Sequence, residues 1–192
     1  MKRDFNYIYL FRHGQTVYNR DKKFTGSIDS KLTKLGKRQS IEIAKKLKSK
    51  KIQVAIHTSL SRSKDTLAPV LKNHPECKFI IEDDRMIERS YGKLQGIRHK
   101  IFIEEYGKSS FDLVHRDYNT RPIGGESFSD VEKRVKSFIE DLNNFIKKNK
   151  VNVAISAHGN SIRLFRKIIE KASVKETQSW SIPYDKVYTY NI

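Results

Sequence analysis

Apolar and polar residues follow two rhythms along this chain. Short apolar runs, Tyr7 to Phe11, Val54-Ala55-Ile56 and Val151-Asn152-Val153-Ala154-Ile155, read as buried strands, and each is followed by polar residues and then a helix-like segment. Between the first two, Leu35, Ile41, Ala44 and Leu47 can share one helix face, with Thr33 as the cap. A helix from about Ser61 to Leu71 carries Leu67, Val70 and Leu71, and Pro69 is expected to kink or end it. From Ser127, the positions Val131, Val135, Phe138, Ile139, Leu142, Phe145 and Ile146 keep helical spacing, and Ser127 with Asp130 resembles a capping box. Tyr188 to Ile192 reads as a last strand. Strands alternating with helices predict a three-layer α/β/α sandwich with a mostly parallel sheet, formed by one domain over residues 1–192. The stretch from Asp84 to Arg121 shows no period and reads as irregular, the kind of segment that often carries a site.

The apolar runs are too short to span a membrane, the start lacks the apolar stretch of a signal peptide, and Cys77 is the single cysteine. A cytoplasmic protein with no membrane partner is expected. No HExxH or CxxC spacing is present, so no metal is expected. The 39 Lys and Arg against 22 Asp and Glu give a net charge of +17, which attracts polyanions of every kind. Pairs such as Lys45-Lys46 and Lys147-Lys148 fall near predicted helix C-termini, where a solvated face with well-placed cations accounts for them.

Ligands of open α/β sheets bind outside the carboxyl ends of the strands. Here those ends read Arg12-His13-Gly14, then His57-Thr58-Ser59 with Arg62 beyond, then His158-Gly159-Asn160. Guanidinium forks match phosphoryl oxygens and stay charged, and a neutral imidazole among them is a nucleophile able to form a phosphohistidine. Gly14 is expected to let the backbone approach the phosphate. His57 reads equally well as structural, and His74 as plain surface; Gly124-Gly125 read as a turn.

The runs LFRHGQTVYNRDKKFTGSIDSKLTKLG, TSLSRSKDTL, ERSYGKLQG, RPIGGES and ISAHGNSIR, which span nearly the whole chain, resemble the histidine phosphatase superfamily, and its phosphoglycerate mutase branch most. The resemblance implies phosphorylation of His13, with Arg12, Arg62 and His158 holding the phosphoryl oxygens and Glu88 as proton donor and acceptor. It implies a substrate pocket with Asn19, Thr25, Gly26, Gly159 and Asn160, and substrate contacts from Tyr91 and Arg116. It also implies a short mutase interconverting 3-phosphoglycerate and 2-phosphoglycerate, in glycolysis or gluconeogenesis. The priming phosphoryl donor would be 2,3-bisphosphoglycerate.

A phosphoenzyme can also give its phosphoryl group to water, and three departures from the mutases bear on that outcome. His99 stands where they usually have a lysine, with Lys100 beside it as a substitute. His115 precedes Arg116 where they usually have two arginines; an imidazole of ordinary pKa about 6.5 predicts pH-dependent grip on a second anionic group. The extra segment and C-terminal tail of larger mutases are missing, so an uncovered site and a monomer are expected, with oligomers left open. The alternative is therefore a metal-independent phosphatase of small phosphorylated metabolites. A reading of another class, a catalytically inert domain that binds nucleic acid, predicts binding that falls steeply with salt.

Overall fold

The computed structural model describes residues 6–192. Its elements are β1 (Tyr7–Arg12), α1 (Val17–Arg20), α2 (Lys34–Leu47), β2 (Val54–His57), α3 (Ser61–Lys72), β3 (Phe79–Glu82), α4 (His99–Arg116), α5 (Phe128–Asn149), β4 (Val153–Ala157), α6 (Gly159–Glu170), α7 (Val174–Ser179) and β5 (Val187–Asn191). The five-stranded sheet has the order β3-β2-β4-β1-β5, with β5 antiparallel to β1 and the other pairings parallel.

Side chains alternate across a strand, and the two faces of β1 go to different cores. Ile8 and Leu10 face α5 and α6, packing with Val131, Val135, Phe138 and Ile162. Tyr9 and Phe11 face α2 and α3, packing with Ile43, Leu47, Leu67 and Val70. Both faces are covered, which explains the continuous apolar runs of the central strands. Each fully buried Leu, Ile or Phe contributes about 1.5–3 kcal/mol by leaving water. Ser127 caps α5 in the expected capping box with Asp130. Thr33 caps α2 by accepting from the Gly36 amide. The exposed lysine pairs sit in the last turns of α2 and α5, as anticipated.

Several local expectations are corrected. The buried stripe of α2 runs through Gly36, Ser40, Ile43, Ala44 and Leu47, while Leu35 and Ile41 face solvent. Pro69 does not end α3, which continues to Lys72. The stretch read as irregular contains α4, bent at Gly107 with φ 81°; its apolar side packs Phe102 and Phe111 against Phe24 and Tyr91 instead of the sheet. Strand β3 was not anticipated, because it is an edge strand whose Phe79, Ile80 and Ile81 are all exposed and show no alternation. No helix among the described residues is long and apolar enough to cross a membrane.

The chain leaves β1 for β2 and β3 and then returns to place β4 between β1 and β2. That reversal puts the carboxyl ends of β1 and β4 side by side. Gly14, just past β1, lies against α2: a Cβ there would sit 2.3 Å from the carbonyl oxygen of Gly36. The glycine is thus needed for backbone packing against α2. Its partner gives a sign-inverted prediction. Gly→Ala inside a helix normally gains about 1 kcal/mol, but a Cβ on Gly36 would lie 2.1 Å from the Gln15 carbonyl oxygen. Gly36→Ala is expected to lose about 1–3 kcal/mol in urea unfolding; a gain in stability would refute this contact.

Candidate active site

His13 follows β1 and its amide donates to the Ala157 carbonyl at the end of β4, 3.0 Å away. This bond places its ring 5.0 Å, centroid to centroid, from that of His158, which caps α6. His13 Nδ1 lies 2.7 Å from the Gly14 carbonyl oxygen, so Nδ1 carries the proton and donates. Nε2 is then the free lone pair, the atom a nucleophile needs. Burial, and after it the positive charges of Arg62 and Arg12, hold the His13 pKa well below the ordinary histidine value.

His158 is fully buried, and its Nε2 lies 2.8 Å from the Thr58 hydroxyl. With that hydroxyl donating, His158 Nδ1 carries the proton, and no protein acceptor meets it. A buried donor without a partner costs about 1–3 kcal/mol unless a ligand oxygen accepts from it. Burial, followed by Arg62, His13 and Arg12, lowers the His158 pKa as well. His158 therefore stays neutral.

The arginines have an uncommon set of partners. Arg62 is completely buried and donates to the carbonyls of Gly26 at 2.7 Å and Ile28 at 2.8 Å; its nearest carboxylate, on Asp29, is 3.9 Å away. Burial lowers its pKa to about 10, which leaves it charged at neutral pH. Arg12 donates to the Ile182 carbonyl at 2.9 Å. The Nε atoms of both arginines are buried without a partner. Backbone carbonyls neutralise no charge, so these cations retain their attraction for an anion.

Glu88, 8% exposed, accepts through Oε1 from its neighbour's amide, Arg89 N, at 2.8 Å and from Asn160 N at 3.1 Å. A Cβ built on Gly159 would lie 3.4 Å from the Arg12 guanidinium carbon and 3.5 Å from Glu88 Oε2. The missing side chain of Gly159 thus leaves the carboxyl open toward Arg12.

His13, Arg12, Arg62 and Glu88 line one cleft of about 230 Å³, together with Asn19, Thr25, Gly26, Tyr91, His99, Arg116, Gly159 and Asn160. All of the anticipated site residues except Lys100 and His158 line it; His158 is fully buried and does not reach the lining, its ring lying 5.0 Å from that of His13. Lys100 is exposed and pairs with Glu104 at 3.6 Å, so it does not replace the missing lysine. His57 bonds the Thr58 carbonyl outside the cleft. His74, read as plain surface, is buried and bonds Glu76 at 2.9 Å. Gly125 does more than turn the chain: a Cβ there would meet the Ser90 carbonyl oxygen at 2.7 Å, beside the loop that carries Tyr91.

Sequence reasoning missed Lys22, Lys23, Phe24, Arg163, Ile182 and Tyr184, which also line the cleft, and Thr58, which orients His158. Lys22 to Phe24 and Arg163 lie inside motif runs already singled out. No spacing signal marks Ile182 or Tyr184. Arg163 is buried, donates to Asn160 Oδ1 and to the Trp180 carbonyl, and is lowered to about 9 by burial and then by Arg116. Among the described lining residues, Glu88 is the single carboxylate. A cleft that gathers arginines and lysines around one acid is built for a polyanionic ligand.

An imidazole with a free Nε2, a second neutral imidazole, guanidiniums held chiefly by backbone carbonyls and one carboxyl can together perform phosphoryl transfer through a phosphohistidine. The sequence profile of the histidine phosphatase superfamily (branch 1) matches residues 8–192. The chain belongs to that superfamily. Among histidine phosphatase relatives, a 2,3-bisphosphoglycerate-dependent phosphoglycerate mutase of Chlamydia caviae is 32% identical, over 96% of this chain and 92% of its own. Solved structures of the same shape include a mycobacterial glucosyl-3-phosphoglycerate phosphatase, with TM-score 0.81 and 21% identity over 97% of each chain. An alpha-ribazole phosphatase of Shigella flexneri gives TM-score 0.82 and 19% identity over 95% of this chain and 89% of that one. These likenesses establish a phosphoglycerate mutase-like fold and a histidine phosphatase superfamily enzyme.

The substituted histidines sit in an aromatic nest. His99 lies 4.6 Å from the Phe24 ring and 5.1 Å from Phe111; His115 stacks on Phe111 at 4.9 Å. Burial, then Arg116, lowers the His115 pKa to about 3, and burial, then Lys22, lowers that of His99. The expectation that His115 titrates near 6.5 is corrected. A lowered histidine pKa means that the neutral form persists below the usual titration point, so His13 should show no titration near 6.5 and His115 should remain neutral from pH 8 down to about pH 5. Imidazole NMR titration of the free enzyme checks this; either residue titrating near 6.5 would overturn it.

Proposed function

We propose that this chain is a phosphoglycerate mutase that interconverts 3-phosphoglycerate and 2-phosphoglycerate, in glycolysis or gluconeogenesis, through a phosphohistidine primed by 2,3-bisphosphoglycerate. The observation that carries the proposal is a surplus of cations. Arg12, Arg62 and His158 suffice for the transferring group, and Arg116, Arg163, Lys22 and Lys23 remain in the same cleft for a second anionic group. The relation to mutases over nearly the whole chain supports the same reading.

The chemistry follows from the residues. His13 Nε2 attacks phosphorus in line while the P–O bond to the donor breaks, and the leaving oxygen takes a proton from Glu88. Arg12, Arg62 and the His158 Nδ1–H hold the equatorial oxygens without reorganising. In the return step, the hydroxyl of 3-phosphoglycerate attacks the phosphohistidine, Glu88 accepts its proton, and the N–P electron pair goes back to the imidazole. The bisphosphorylated product then returns its other phosphoryl group to His13. One carboxyl acting as acid and then as base is worth about 10²–10⁴-fold.

A second reading, a metal-independent phosphatase of small phosphorylated metabolites, is favoured by the neutral His99 and His115. They weaken the hold on a second anion and leave the phosphohistidine to water. Phosphorus NMR of the protein with 3-phosphoglycerate and a trace of 2,3-bisphosphoglycerate separates the readings. The mutase reading expects 2-phosphoglycerate well ahead of inorganic phosphate; dominant inorganic phosphate would transfer the assignment to the phosphatase. His13→Ala should abolish turnover in either case, and full turnover by that variant would sink both. Arg116→Leu is expected to raise KM for 3-phosphoglycerate about tenfold or more while changing KM for an aryl phosphate little, as loss of binding to a second anion requires.

A further inference from the structure

The segment between α7 and β5 closes one side of the cleft. Its residue Tyr184 is half-buried and lies with its ring centroid 4.1 Å from the Arg12 guanidinium carbon and 6.3 Å from that of the His13 ring. The segment is pinned from several elements. Arg12 and Arg163 donate to the carbonyls of Ile182 and Trp180, the Lys46 ammonium reaches the Asp185 carbonyl, and the Arg166 guanidinium lies 3.9 Å over the Trp180 ring. An aromatic face on a guanidinium fixes its plane and displaces water from that side. Arg12 needs both effects, because its Nε is buried without a protein partner and the residue lines the cleft beside the nucleophile. A sequence reading expects an open site here; the structure places a phenol ring over it.

We propose that Tyr184 is a positioning residue that holds Arg12 and screens the phosphorylated His13, and thereby sets how its phosphoryl group divides between an alcohol and water. The proposal rests on the phosphohistidine of the function proposed above, but not on the identity of the physiological substrate. In hydrolysis a water oxygen bonds to phosphorus as the N–P bond to His13 Nε2 breaks. The electron pair returns to the imidazole, one water proton passes to Glu88, and inorganic phosphate leaves. In transfer an alcohol oxygen takes the place of water and a phosphate ester leaves. Tyr184 bonds to none of the reacting atoms; it acts on the water available and on the orientation of Arg12.

The test uses p-nitrophenyl phosphate as phosphoryl donor and glycerol as acceptor, so that a missing 2-phosphoglycerate activity does not obscure it. Phosphohistidine lifetime by rapid acid-free quench, the ratio of glycerol phosphate to inorganic phosphate by phosphorus NMR, and Tm are compared for the parent, Tyr184→Phe and Tyr184→Ala. Tyr184→Ala should shorten the phosphohistidine lifetime and lower the transfer ratio, each by about tenfold, with little change in Tm. Tyr184→Phe, which keeps the ring, should stay within about twofold of the parent. An unchanged lifetime and ratio in Tyr184→Ala overturns the proposal, as does a Tyr184→Phe variant that behaves like Tyr184→Ala. If the parent forms no phosphohistidine from either the aryl phosphate or 2,3-bisphosphoglycerate, the function proposed above falls together with this inference.

Discussion

Buried positive charge with little counter-charge is the constraint on which the rest of this structure depends. Arg62 and Arg163 are withdrawn from water and Arg12 partly so, and all three donate to carbonyl oxygens, the nearest carboxylate to Arg62 being that of Asp29 at 3.9 Å. Ion burial costs several kcal/mol even after relaxation, so the apolar packing of two full cores must support it. A carboxylate beside each arginine would lower that cost and also occupy the place of a phosphoryl group. The site therefore accepts poor pairing in the free protein in exchange for affinity toward an anion.

The scaffold holds this arrangement through bonds that cross between elements. Gly14 N donates to the Thr66 hydroxyl, which donates in turn to the Arg62 carbonyl, tying the nucleophile's loop to the helix of its arginine. Ser63 and Ser156 exchange hydroxyl-to-carbonyl bonds at 2.7 and 2.9 Å, joining α3 to β4. Asn160 N on Glu88 joins α6 to the loop after β3. Tyr91 is braced from behind by Arg89, whose guanidinium lies 5.0 Å from its ring and donates to the carbonyls of Glu126 and Thr120. Rigid support of this kind keeps donors aimed at the transition state without reorganisation.

Transfer to an alcohol and transfer to water share every bond-making step, so the choice between them lies in what surrounds His13. The cleft carries opposing tendencies. Arg116, Arg163 and the lysines favour a ligand with a second anionic group, whereas the aromatic nest around His99 and His115 withholds charge where related mutases usually place it. An aromatic ring over Arg12 then controls the access of water. Small changes at such positions redirect a common phosphoenzyme without altering its core chemistry, which is consistent with mutases and phosphatases sharing one fold.

The layered fold and the grouping of the candidate site residues were legible in the sequence because both rest on local signals. Strand runs buried on both faces, the Ser127 cap and histidine or arginine at strand ends each occupy a few consecutive residues, and the α5 periodicity stays within one helix. Where the reading failed, the deciding contact is distant in sequence. Leu35 and Ile41 fit a helical stripe, yet Gly36 is the residue pressed onto Gly14 and Gln15, which rotates α2 and exposes them. Helix α4 packs on Phe24 instead of the sheet and so lacks the expected pattern. Lys100 and His99 are neighbours in the chain, but the helix sends one to solvent and the other into the cleft. Residue type determined that phosphoryl chemistry was available; only tertiary structure decided the charge state of His115 and the covering of Arg12 by Tyr184, because burial and through-space contact are not properties of a local run of residues.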